Sequence, residues 1–341
     1  MRRFLPFVLV LFFLVPTPAS AATVAGDPDC LRTVAGIDLQ TVTIPQLEQA
    51  MASGTITSQT LTKAYLDRIA AYDRGPLKIN AIRAVAKDAM AQAATMDAER
   101  AAGHLRGPLH GIPVILKDNI GTRDMPTTAG SIALALNIPK HEAALVTQLR
   151  AAGALILGKT NLSEFANWVD PRMPSGYSSL GGQVVAPFTG GDPSGSSSGS
   201  GAGGTMAYAT GTFGSETSGS ILSPSWTNSL VGIKPTLGVV SRTGVIPLAH
   251  SYDTAGPMTR NVTDAAWLLS FASAADASDV VTMAAPGATP PGHDYRPFLK
   301  TGTLKDARIG YSTADVDDLF QKALDDLAAA GATLVPTDTL A

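Results

Sequence analysis

The stretch His141-Glu142-Ala143-Ala144-Leu145-Val146-Thr147-Gln148-Leu149-Arg150-Ala151-Ala152-Gly153-Ala154-Leu155-Ile156-Leu157 decides the fold. Leu145 and Leu149 stand one helical repeat apart, so His141 to Ala152 reads as a helix with an apolar stripe. Gly153 sits where a C-cap belongs. Leu155 to Leu157 follows as a short buried strand. Working outward, Ile112 to Leu116 is a second apolar run with β-branched residues, again a buried strand. Upstream, Thr57 or Ser58 can cap a helix in which Leu61, Tyr65, Ile69 and Tyr72 share one face. An alanine-rich helical stretch runs from about Ala81 to Ala102 and ends at Gly103 and Gly107-Pro108. Downstream, Ala307 to Tyr311 reads as a strand, Val316 to Ala330 as a helix, and Thr333 to Val335 as another strand. Such alternation predicts an α/β domain with helices covering a sheet.

The bulk numbers agree. Of 341 residues, 45% are hydrophobic and only 16% charged, so a large core can be buried. The net charge of −3 has no basic stripe behind it, which gives no reason to expect a nucleic-acid partner. The one cysteine, Cys30, cannot form an internal disulfide. Arg2 and Arg3, the apolar run Phe4 to Val15, and Ala19-Ser20-Ala21 form the pattern of a secretory signal peptide cleaved after Ala21. The apolar run is too short for a stable membrane anchor. A secreted or periplasmic location is expected, by general or twin-arginine export. The expected organisation is a signal peptide over residues 1–21, a helical region over 22–80 and the main domain over 81–341. Nothing in the sequence sets an oligomeric state.

Two Gly-rich segments invite other readings. Gly153 to Thr160 satisfies the P-loop pattern G-x-x-x-x-G-K-[ST]. A P-loop needs a strand before its first glycine and a polar turn between the glycines. Here the helix comes first and Ala154-Leu155-Ile156-Leu157 lies between them, so the segment reads as a helix-turn-strand corner. Gly190 to Gly204 looks, taken alone, like a flexible linker. Yet strand and helix texture continues on both sides of it.

Three dispersed pieces carry the chemistry. Lys117 ends the Ile112–Leu116 strand, either as a surface charge or as a partly buried amine. Burial would disfavour the ammonium and make the lysine usable as a base near neutrality. The loop Gly195 to Ser200 offers hydroxyls and backbone N–H groups. Gly214-Ser215-Glu216-Thr217-Ser218-Gly219-Ser220 puts a serine on a turn whose successive N–H groups can form an anion nest. Each piece is weak alone.

Taken together they resemble the amidase signature family, over roughly Ile44 to Leu269. The blocks are Gly111 to Asn119, Thr127-Thr128-Ala129-Gly130-Ser131, Gly158 to Ala166, Gly195 to Ser200, Thr217 to Ser220, Val231 to Thr236 and Asp253 to Met258. Within the family the chain looks most like the secreted peptide-amidase branch. The resemblance implies a three-layer α/β/α fold, with a mixed central sheet covered by helices on both faces. It implies Ser220 as nucleophile, Ser196 as bridging serine after a cis peptide bond, Lys117 as base, and backbone N–H groups of Thr217, Ser218, Gly219 and Ser220 as oxyanion hole. The implied reaction is hydrolysis of a small-molecule or peptide amide through an acyl-enzyme, without metal or organic cofactor.

Departures from the family pattern narrow the expectation. Relatives acting on acidic small amides carry arginine two residues after the nucleophile; Leu222 stands here and cannot pair with a carboxylate. That favours a neutral group such as a peptide C-terminal amide. Ser218 replaces a common glycine, and Ala186 a common asparagine before Pro187. His104, His110, His141 and His250 leave a Ser-His-Asp triad as competitor, but none sits in a triad motif. A binding protein on a decayed amidase scaffold is the alternative of another class, and intact Lys117, Ser196 and Ser220 oppose it. Family members usually run well past the equivalent of residue 341, so the chain is expected to be truncated at its C-terminus.

Overall fold

The computed structural model describes residues 31–170, 172–284, 289–314 and 316–337. The expected signal peptide and Cys30 lie outside them. Among the described residues no helix is long and apolar enough to cross a membrane.

The central sheet has six strands: β1 (Ile82–Val85), β2 (Pro113–Lys117), β3 (Leu155–Thr160), β4 (Gly211–Glu216), β5 (Val231–Gly232) and β6 (Thr254–Thr259), in the spatial order β1-β3-β2-β4-β6-β5. β2 runs parallel to β3 and to β4. The outer pairings, β1 with β3, β4 with β6 and β6 with β5, are antiparallel. The sheet is therefore mixed, and every residue of β2, β3, β4 and β6 is buried. Burial on both faces is what the near-continuous apolar run of β2 requires.

The principal helices are α1 (Ile44–Ala52), α2 (Ser58–Tyr72), α3 (Ala89–Ala101), α4 (Ala144–Ala151), α5 (Ser198–Thr205), α6 (Leu222–Thr227), α7 (Val262–Ala272) and α8 (Asp318–Ala329). Neighbouring residues of β4 show how they are layered. A Cβ placed on Gly211 would lie 2.5 Å from Leu268 Cδ1 of α7, whereas a Cβ on Gly204 of α5 would lie 3.4 Å from Thr212 Cγ2. Successive strand residues point to opposite faces, so α7 and α5 cover opposite sides of the sheet. The result is the expected three-layer α/β/α arrangement. One hydrophobic core extends from Leu39 to Ala272. The N-terminal helices are tied to it by polar contacts: the Ile44 N–H donates to Asp264 Oδ1 (2.7 Å), and Tyr65 Oη bonds Thr210 Oγ1 (3.1 Å).

Most elements fall where the sequence put them. Thr57 caps α2, and Leu61, Tyr65 and Ile69 face the core. Gly153 follows α4 at φ +93°, where a Cβ would lie 2.6 Å from His110 Cα. A left-handed turn this close to a neighbouring backbone admits only glycine. The C-terminal strands Arg308–Tyr311 (β7) and Thr333–Pro336 (β8) pair in parallel around α8.

Two expectations change. The stretch from Ala81 to Ala102 is not helical throughout: it opens with edge strand β1, held because the Ala81 N–H and Ile82 N–H both donate to the buried Asp73 carboxylate. Gly190 to Gly204 is not a linker, and the expected loop over 195–200 gives way to helix at Ser198. Ser198 to Gly204 of α5 is entirely buried, and a Cβ on Gly199 would come within 2.4 Å of the Ala81 and Asn161 carbonyl oxygens. Glycine costs about 1 kcal/mol per position relative to alanine in a helix. Close packing of the α5 backbone against the sheet outweighs that here.

Candidate active site

The parallel strands locate the site before any side chain is considered. From β2 the chain moves to one side to build β3, then crosses to the other side to build β4. The carboxyl ends of β2 and β4 therefore flank a topological switch point, where open α/β sheets form a crevice. Lys117 is the last residue of β2, Ser215 and Glu216 end β4, and Ser196 and Ser197 precede α5.

Lys117 is fully buried. Its Nζ lies 2.8 Å from Ser196 Oγ, 3.1 Å from the Ser215 carbonyl oxygen and 3.0 Å from Ser215 Oγ. None of these partners carries a charge. Burial lowers the lysine to about 7, and the charges of Glu216 and Asp253 oppose that shift without cancelling it. Near neutrality much of Lys117 is thus a free amine. Such an amine can give two N–H groups to Ser215 and turn its lone pair to the Ser196 hydroxyl.

The serine segment is held on every side. Ser196 follows a cis peptide bond from Gly195. Ser197 Oγ donates to the Ser215 carbonyl (3.1 Å), and Ser200 Oγ donates to the Phe213 carbonyl (2.9 Å). The Ser197 N–H donates to the Ser220 carbonyl (3.3 Å), which brings the segment after Ser196 against Ser220. Ser220 is 8% exposed. Lys117 and Ser196 are joined side chain to side chain, whereas the Ser196 segment and Ser220 are joined through backbone. Catalytic hydrogen bonds often close only once substrate binds.

The turn Thr217-Ser218-Gly219-Ser220 keeps its backbone donors free: among the described residues no protein acceptor takes these four N–H groups. Gly219 adopts φ +80°, which turns the chain so that they can converge. The Glu216 carboxylate fixes the far side of the turn, accepting from the Ile221 N–H (2.7 Å) and the Leu222 N–H (2.9 Å). Asp253 fixes the near side, accepting from Thr217 Oγ1 and from the Leu248 N–H (2.7 Å).

A cavity of about 510 Å³ opens beside this machinery. Asn119, Ser215, Glu216 and Thr217 form its inner end, while Leu162, Phe165, Trp168 and Ile246 give it apolar walls. Leu222 is half exposed and lies outside this lining. Of the candidate histidines, His250 lines the cavity, while His110 is buried beyond the opposite end of β2 with its Nε2 2.8 Å from the Met96 carbonyl. Among the described residues no cluster of three His, Cys, Asp or Glu side chains is placed to hold a metal ion.

A family model described as Amidase matches residues 60–341. The chain belongs to the amidase family. It is 44% identical over 283 residues to a Schizosaccharomyces pombe protein that bears the name of an amidase, covering 80% of this chain and 47% of that one. It is 43% identical over 251 residues to a glutamyl-tRNA(Gln) amidotransferase subunit of Thermobifida fusca, covering 73% of this chain and 49% of that one. The solved native peptide amidase of Stenotrophomonas maltophilia superposes with a TM-score of 0.84 at 43% identity, covering 87% of this chain and 62% of that one. The chain thus spans about half the length of these curated relatives. Its architecture is the amidase signature fold.

Ser215, Glu216, Asp253 and Asn119 carry no role in the sequence reading, although each lies in or beside one of the amidase blocks. Their contacts cross between strands and loops far apart in the chain. The usable signal was local: a polar residue in or next to a run of buried strand.

Proposed function

We propose that this amidase-family chain hydrolyses linear carboxamides, with Ser220 as nucleophile, Ser196 as bridge and Lys117 as base. One observation carries the reading: a fully buried lysine lowered to about 7 stands 2.8 Å from a serine hydroxyl, with no anion paired to it. Neutral Lys117 accepts the Ser196 proton as Ser196 accepts that of Ser220. Ser220 Oγ bonds to the amide carbon, and the oxyanion rests on the N–H groups of Thr217 to Ser220. The C–N bond then breaks as the proton returns through Ser196 to the leaving nitrogen, and water hydrolyses the ester of Ser220. No step needs a metal or an organic cofactor.

The likeness to the solved peptide amidase supports a peptide C-terminal amide as substrate, and the apolar cavity walls suit peptide side chains. Leu222 cannot form the paired hydrogen bonds of an arginine with a carboxylate, but it lies outside the cavity lining, so a neutral substrate rests on the apolar walls instead. Export is part of the reading and rests on residues 1–21. The protein should be recovered outside the cytoplasm with its N-terminus at Ala22; recovery only inside the cytoplasm with Met1 intact would contradict export.

A fluorophosphonate probe tests the chemistry. Labelling and hydrolysis of a blocked dipeptide amide should both disappear in Ser220→Ala. Labelling that persists there, or a panel of amides left untouched by the wild-type protein, would favour a binding protein on an amidase scaffold instead.

A further inference from the structure

Asn119 stands out among the residues around the site. The residue is 6% exposed and its Oδ1 is buried, yet among the described residues Oδ1 has no hydrogen-bond partner, and Asn119 lines the cavity. The other end of the same carboxamide is committed, because Nδ2 donates to Ser215 Oγ (2.8 Å), which also takes a hydrogen bond from Lys117. The backbone is pinned as well. The Asn119 carbonyl accepts from the Ile246 N–H (2.9 Å), and Ile120 bridges Val245. Asn119 is therefore held in one pose, with an empty acceptor at the cavity end nearest the base. A buried acceptor left empty is destabilising, so such a group in a rigid site calls for a partner that arrives later.

We propose that Asn119 Oδ1 is a binding site for the substrate's amide nitrogen, accepting a hydrogen bond from the N–H of the group that leaves. The inference rests on the hydrolytic reading above and adds a specificity to it. In that chemistry the carbonyl oxygen points to the N–H groups of Thr217 to Ser220. The nitrogen must point to Ser196, which returns the proton to it, and so toward the Lys117–Ser215–Asn119 side. A primary carboxamide brings two N–H donors and a secondary amide one. An ester or a dialkyl amide brings none. Asn119 then favours N–H-bearing amides over esters of the same acyl group, because only the former fill the empty acceptor.

The test compares a blocked dipeptide amide with its methyl ester, in wild type and in Asn119→Ala and Asn119→Leu. Rates are expressed per site titrated with the fluorophosphonate probe, so misfolded protein does not count. Both variants also remove the Nδ2 bond to Ser215, which can slow the two substrates alike, so the decisive quantity is the ratio of amide to ester kcat/KM, and that ratio should fall about 10–100-fold. An equal fall on both substrates would overturn the proposal, since that is what loss of support for Ser215 and Lys117 predicts. No fall on the amide would overturn it too. Failure of the underlying reading looks different: wild-type protein would hydrolyse neither substrate, or labelling would survive Ser220→Ala.

Discussion

Two fully buried lysines lie at the ends of adjacent parallel strands, and the proposed chemistry gives them opposite work. Lys117 closes β2, and Lys159 lies beside Leu116 in β3. Lys159 Nζ is 3.3 Å from Asp118 Oδ1 and 2.8 Å from Thr127 Oγ1. Burial lowers Lys159 to about 8 and raises Asp118, while the attraction between them opposes both shifts. Asp118 also accepts from the Thr128 hydroxyl, and its carbonyl takes the Ala129 N–H (2.9 Å). The pair thus fastens the loop 127–131, whose Ala129 lines the cavity. Among the described residues Lys117 Nζ hydrogen-bonds serine oxygens only. A lysine with its own anion is held as a cation, whereas one buried among neutral hydroxyls and lowered to about 7 is available as the base of the proposed mechanism. Successive residues of an extended chain point to opposite sides, which keeps Asp118 from quenching Lys117.

The largest effect that would sharpen this contrast is on rate. Lys117→Ala should lower amide hydrolysis by about 10²–10⁴-fold or more, with cooperative unfolding retained in a urea titration. Lys159→Met should act mainly on stability. It leaves Asp118 buried without its cation, a loss of about 3–5 kcal/mol measured by urea unfolding. Were the two phenotypes exchanged, with Lys159→Met dead but fully stable, the assignment of roles would break.

A subtler comparison uses the carboxylates around Lys117. Glu216 and Asp253 both favour its ammonium form. Glu216→Gln keeps an oxygen for the Ile221 and Leu222 N–H groups but removes a negative charge. The lysine should then lose its proton more easily, so the acid limb of the pH–rate profile should move to lower pH. A shift to higher pH would show that the charge of Glu216 does not reach Lys117. The smallest effect is expected at His250, which lines the cavity without touching the relay: His250→Ala should hold the amide rate within about threefold. A loss as large as that of Lys117→Ala would restore a histidine base.

Much of this was legible before the structure. The strand of β2, the α4–Gly153–β3 corner and the C-terminal strand-helix-strand unit follow from apolar spacing and one positive-φ glycine. The P-loop pattern around Lys159 misleads, because strand residues fill the space where phosphate would need a turn. β1 was hidden, since Ile82 to Val85 opens an alanine-rich run and is a strand only because β3 and Asp73 hold it. Helix α5 was illegible for the converse reason: a run of glycine and serine has poor helix propensity, and burial against the sheet imposes the helix. In the site, Lys117, Ser196 and Ser220 were marked by their motifs. The empty acceptor of Asn119 was not, because it depends on which neighbours the sheet brings within reach.

The most direct test of the account is the pH dependence of Ser220 phosphonylation by a fluorophosphonate, which isolates activation of the nucleophile from substrate binding and product release. The rate should rise with pH along a single ionisation near 7, where burial places Lys117, and the rise should be lost in Lys117→Ala while surviving in His250→Ala. A flat profile, or a rise near 7 that persists without Lys117, would contradict the claim that a neutral buried lysine is the base.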